Sequence, residues 1–180
     1  MSNRCALKCI LSGVVLLSAL LSSYAQPRTI GATFSFTGLS VAYEHSLKDR
    51  NAFLELSLKS EQAEYYVRRS GDPGMSVSFT VNNILKQWKS SEGNTINFYA
   101  GPGLIAGYCS DYKTDMGPFF GLKGRVGFEC CFERNATISI SSSPIIGAHL
   151  LSNLEGFTMK YYRNGLIYSL VPEIGIRYRF

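Results

Sequence analysis

The sequence predicts an all-β fold: an antiparallel eight-stranded transmembrane up-and-down β-barrel. Three observations lead there. Apolar residues recur at every second position through most of the chain, the period of a strand with two unlike faces. Tyr, Phe, Ser and Gly are abundant, a composition suited to strands and turns. Beyond residue 25, no apolar run approaches the roughly 20 residues that a helical membrane span takes.

The first 25 residues read as a removable export signal. "MSNRCALK" carries Arg4 and Lys8 and no acid, "CILSGVVLLSALL" supplies a short apolar run, and "SSYA" places small residues at Ser23 and Ala25. Cleavage is expected after Ala25, leaving one barrel domain over 26–180. Losing Arg4 and Lys8 takes the net charge from +5 to +3. That is too small to argue for a nucleic-acid partner. Cys109, Cys130 and Cys131 then remain, an odd count without zinc-ligand spacing, so free thiols are expected and no cofactor or metal.

The strands follow in order. "TIGATFSF" sets Ile30, Ala32, Phe34 and Phe36 against Gly31, Thr33 and Ser35, and "GLSVAYEHSL" restarts the pattern after a tight turn. "AFLELSLK" opposes Leu54, Leu56 and Leu58 to Phe53, Glu55, Ser57 and Lys59. "MSVSFTV", "INFYAGPGLIAGY", "FGLKGRVGFECC" and "ATISISS" continue the alternation, and the eighth strand is expected from about Leu166 to Phe180. Pro102 and Pro144 interrupt it and should mark bulges.

Alternation leaves the outside undecided. A soluble ligand-binding barrel would put the charged face in water; a membrane barrel turns the apolar face to lipid. Strand length, short and long connections in alternation, and aromatics near strand ends favour the membrane arrangement. "KDRN", "KSSEGN" and "ERN" are then periplasmic turns; "RRSGDPG", "DYKTDMG" and "SNLEGFTMKYYRNG" are external loops. Tyr65, Tyr66, Trp88, Tyr108, Tyr112, Tyr161, Tyr162, Tyr178 and Phe180 would form the two girdles. Cys109 would lie near one membrane face and Cys130 with Cys131 near the other, too far apart to bridge.

With "IGIRYRF" at its end and "FYAGPGLIAGY" at Phe98–Tyr108, the chain resembles small eight-stranded outer-membrane barrels of the OmpX and OmpA-like group. The resemblance implies location in the bacterial outer membrane, and it implies that Tyr178 and Phe180 serve as the signal read by the barrel-assembly machinery. It implies no single activity.

The inward polar face of such a barrel would gather Glu44, Glu55, Glu129 and Glu173 with Lys123, Arg125, Arg177 and Arg179. Equal numbers of each sign suit a side-chain-filled interior, because eight strands leave little free lumen. The expected role is structural or interaction-based, through the external loops of a monomer. Arg68, Arg69, Lys113, Lys160 and Arg163 are candidate contacts for lipopolysaccharide phosphates, and a protein partner would meet the same loops. An outer-leaflet lipid-modifying enzyme, of the lipid A deacylase or phospholipase type, is the alternative. His149, Ser152 and Glu155 in "AHLLSNLE" are its candidate catalytic residues, although a three-residue spacing puts His149 and Ser152 on opposite faces of a strand.

Overall fold

The computed structural model describes residues 27–47, 51–61, 74–90, 93–111, 116–133, 135–153 and 156–180. The expected export signal, Arg68, Arg69, Lys113, Glu155 and the girdle candidates Tyr65, Tyr66 and Tyr112 lie outside these residues.

Among the described residues, ten strand segments form one closed antiparallel sheet: β1 (Arg28–Ser35), β2 (Gly38–Ser46), β3 (Ala52–Glu61), β4 (Gly74–Lys89), β5 (Thr95–Ser110), β6 (Met116–Cys131), β7 (Ala136–Ser142), β8 (Ile145–Asn153), β9 (Gly156–Tyr161) and β10 (Glu173–Arg179). β1 through β6 pair in sequence. β6 then pairs β7 along its second half and β8 along its first, and β10 joins β7 back to β1. β7 and β8 are therefore one stave broken at Ser143–Pro144, and β9 and β10 are two ends of another. The ring has eight staves. No described helix is long and apolar enough to cross a membrane.

The alternation resolves in one direction around the whole ring. Ile30, Val41, Leu58, Val77, Leu104, Leu122, Ile140 and Ile176 are exposed on the outside, while Thr33, Ser40, Ser57, Ser78, Arg125, Ser139 and Arg177 on the same strands are buried. A water-soluble protein cannot carry such a wall, since apolar side chains encircle it and its charges point inward. The molecule is a transmembrane β-barrel, not the soluble arrangement. Trp88, Phe128, Tyr178 and Phe180 are exposed toward the end where Pro27 and Phe180 lie, the terminal end, and Trp88 stacks on Phe128 with centroids 6.4 Å apart. Tyr108 and Tyr161 are exposed toward the other, loop end.

The connections at the terminal end are short. In "KSSEGN" the turn passes through Gly93 at φ 80°, and in "ERN" through Asn135 at φ 61°, a backbone region that Gly and Asn tolerate best.

Three expectations change. First, the eighth strand does not begin at Leu166. It is β9 and β10, separated by a one-turn helix α1 (Asn164–Ile167) and the residues after it. The chain leaves strand geometry there because Asp111 accepts hydrogen bonds from the backbone N–H groups of Arg163 (2.9 Å) and Asn164 (2.8 Å). Second, Tyr162 belongs to no girdle: it is buried inside the barrel, stacked on Phe119 at 4.5 Å. Third, β5 passes through Pro102 in unbroken register with β6, and the irregularity lies in β4, between Ile84 and Lys86. Pro144 does break its stave.

Candidate functional site

The interior holds two charge clusters, stacked along the barrel axis. In the terminal-end half, Arg177 of β10 reaches three carboxylates. Its Nε is 3.0 Å from Glu44 Oε1, its Nη1 is 3.4 Å from Glu129 Oε2, and its Nη2 is 3.7 Å from Glu55 Oε2. Arg125 of β6 donates to Glu55 and lies over the ring of Tyr99, 5.9 Å from its centroid. Asn97 donates to Glu129 at 2.8 Å. These groups come from six strands, β2, β3, β5, β6, β7 and β10, with Ser141 of β7 3.4 Å from Arg125 Nη2. Strand period alone puts them on one face; ring closure brings that face to one axis. Buried charges need partners of opposite sign, and here each guanidinium bridges staves that are distant in sequence.

In the loop-end half, Lys59 Nζ lies 3.3 Å from Glu61 and 3.7 Å from Glu173, and donates to Thr37 Oγ1 at 2.7 Å. Lys123 donates to Ser78 at 3.0 Å, and Glu61 accepts from Ser76 at 2.6 Å. Above this cluster the segment from Tyr162 to Glu173 packs into the barrel mouth. Tyr162, Asn164 and Gly165 are buried there, and Cys109 donates its S–H to Tyr162 Oη across 3.7 Å. The space left between this segment and Lys59, Glu61 and Glu173 is a cavity of about 30 Å³, the size of one water.

Seven of the eight expected interior charges thus fall into these clusters. Arg179 departs. It is half-buried, its Nη2 donates to Cys131 Sγ at 3.3 Å, and none of the ion pairs among the described residues includes it. Lys59, Glu61, Asn97 and Tyr99 join the clusters unforeseen. All four sit at the inward parity of their strands, so their faces were legible although their roles were not.

The candidate catalytic residues are not assembled by what is described. His149 is fully buried, and its Nε2 is 2.8 Å from the carbonyl oxygen of Cys109. Ser152 pairs with Phe157 in the β8–β9 ladder; its side chain and Glu155 lie outside the described residues. Lys160 and Arg163 are exposed at the loop end. Cys109 sits at the loop end, Cys130 and Cys131 at the terminal end, and all three are free.

A polar vestibule opens at the terminal end. Its cavity of about 280 Å³ is lined by, among others, Thr29, Glu44, Phe53, Asn97, Glu129 and Arg179.

No protein-family model and no curated protein sequence matches the chain. Among solved structures, it is similar to a major outer membrane protein from Thermus thermophilus, with 11% identity and TM-score 0.45 over 87% of this chain and 100% of that one. It is also similar to Neisserial surface protein A, with 11% identity and TM-score 0.42 over 86% of this chain and 94% of that one. A third is Ail, the attachment invasion locus protein of Yersinia pestis, with 13% identity and TM-score 0.33 over 86% and 94%. The strand ladder of the chain itself, and not these overlaps, defines it as a closed eight-stave barrel with its apolar face outward.

Proposed function

We propose that this chain is a monomeric, non-conducting barrel of the bacterial outer membrane that acts through its loop end. The observation that carries this reading is the double obstruction of the lumen: the Arg177 cluster crosses it inward of the vestibule in one half, and Tyr162, Asn164 and their neighbours close it in the other. A barrel so filled supports no through-path for solutes, which leaves the exposed loop end as its working surface. The apolar wall suits a bilayer, and the outer membrane is where bacterial β-barrels reside. In that orientation Pro27 and Phe180 face the periplasm, Tyr178 and Phe180 are presented to the assembly machinery, and Lys160 and Arg163 stand on the side of lipopolysaccharide phosphates.

Three measurements test this. The folded protein should fractionate with outer membranes and change gel mobility on boiling. Inserted in planar bilayers it should give no steady unit conductance; discrete open steps would contradict the filled interior. Binding to lipopolysaccharide micelles should weaken about tenfold when Lys160 and Arg163 are both changed to Glu, the scale expected for losing charge-assisted contacts to phosphate.

A further inference from the structure

Arg179 and Glu44 face the same space without meeting. Thr29 of β1 is paired to Arg179 on one side and to Glu44 on the other, so the three form one row across three strands, all on the inner face. Neighbouring strands are about 4.8 Å apart, which sets the Cα atoms of Glu44 and Arg179 on the order of 10 Å from each other. Both side chains line the vestibule at the terminal end. The guanidinium of Arg179 has a thiol sulfur as its described side-chain acceptor, a weak one. Glu44 Oε1 faces Arg177 at 3.0 Å, but out of hydrogen-bond alignment, and it accepts no hydrogen bond among the described residues.

The charge balance points the same way. Three carboxylates, Glu44, Glu55 and Glu129, share two guanidiniums, Arg125 and Arg177, one cation fewer than one-to-one pairing would take. The cation that would complete the pairing, Arg179, is held at the rim. The volume of about 280 Å³ is near the small end of ligand pockets.

We propose that the vestibule is a binding site for a small zwitterion with an ammonium and an anionic group a few bonds apart. The ammonium lies against Glu44 and Glu129, and the anion, a phosphate or carboxylate, lies on Arg179. The phosphoethanolamine group carries this chemistry, either as the head group of a phospholipid in the adjoining leaflet or as a free solute. Only the lipid source rests on the outer-membrane reading.

Calorimetric titration of the folded, detergent-solubilised barrel with free phosphoethanolamine should give saturable one-to-one binding. Ethanolamine alone and inorganic phosphate alone should each bind about tenfold more weakly or worse, since each forfeits one charged contact. Arg179→Gln should reduce phosphoethanolamine to the level of ethanolamine. Ser46 also lines the cavity, and Ser46→Trp, which places a ring in it and removes no charged group, should abolish binding. Boiling-dependent gel mobility establishes beforehand that each variant is folded, and it tests the membrane reading separately. Absence of saturable binding would overturn the site, as would ethanolamine equalling phosphoethanolamine, or Ser46→Trp binding like wild type. Native mass spectrometry from nanodiscs then separates the sources. One phosphatidylethanolamine retained, and no phosphatidylglycerol, identifies the lipid head group; binding of the free compound with no retained lipid identifies a soluble zwitterion.

Discussion

The two halves of this barrel are closed by different means. Toward the termini, β10 pairs with β7 on one side and β1 on the other, and the wall is continuous hydrogen-bonded sheet. Toward the loops, β1 has ended at Ser35, and β9 pairs only with β8 among the described residues. There the wall is completed by α1 and the residues after it, which press polar and aromatic groups inward and leave Leu166, Ile167 and Leu170 exposed outside. One half is rigid because its hydrogen bonds and its charges are both inter-stave. The other depends on a few side-chain anchors, chiefly Asp111 and Tyr162. Stability should therefore be concentrated in the terminal half and local mobility in the loop half.

The largest effect should come from the rigid half. Arg177→Met removes the group shared by Glu44, Glu55 and Glu129 and leaves three buried carboxylates with one guanidinium. A loss of about 3–5 kcal/mol in urea unfolding is expected, and a loss below that of Leu54→Ala would break the comparison. Next is Gly127→Val. A Cβ at Gly127 would stand 2.7 Å from Ser141 Cβ and 2.8 Å from Tyr99 Oη, atoms fixed by the same cluster. Overpacking of this kind costs about 1–3 kcal/mol, read in the same unfolding series.

A smaller and more local effect belongs to the loop half. Asp111→Ala deletes both acceptors for the backbone N–H groups of Arg163 and Asn164. Amide exchange at Ile167 and Tyr168, whose N–H groups bond to Arg163 and Asn164, should quicken by about tenfold or more, while the urea midpoint hardly moves. A large fall in the midpoint would mean that the two halves are one cooperative unit. The smallest effect is Leu54→Ala on the lipid face. Lipid tails are as apolar as leucine, so lipid refills the space and the loss should stay below about 1 kcal/mol.

How much of this was legible in the sequence follows the same division. Along β7, Ile138 and Ile140 alternate with Thr137, Ser139 and Ser141, and that two-residue period assigns the faces without any structure. The wall, its polarity and most of the interior charges came from such stretches. The loop half was opaque because its anchors are non-local. "RNGLIYSLVP" has apolar residues at strand-like intervals, and nothing in it announces Asp111, some fifty positions earlier, bending the chain into a helical turn. Tyr162, adjacent to Tyr161, looked like a second girdle residue; its burial depends on Phe119 and Cys109 across the mouth. The sequence also counts charges without matching them. Arg177 and Arg179 share one face of β10, yet only Arg177 lies deep enough in the barrel to reach three carboxylates, whereas Arg179 ends beside Cys131.

The central claim, an apolar wall in lipid around a polar interior, has a direct test on the unmodified protein. In bicelles containing doxyl-labelled stearate, the methyl resonances of Ile138, Ile140, Ile174 and Ile176 should broaden strongly. Those of Thr33, Thr80 and Thr137, inward on the same sheet, should stay sharp. Equal broadening of the two sets, or sharp isoleucine and broadened threonine methyls, would contradict it.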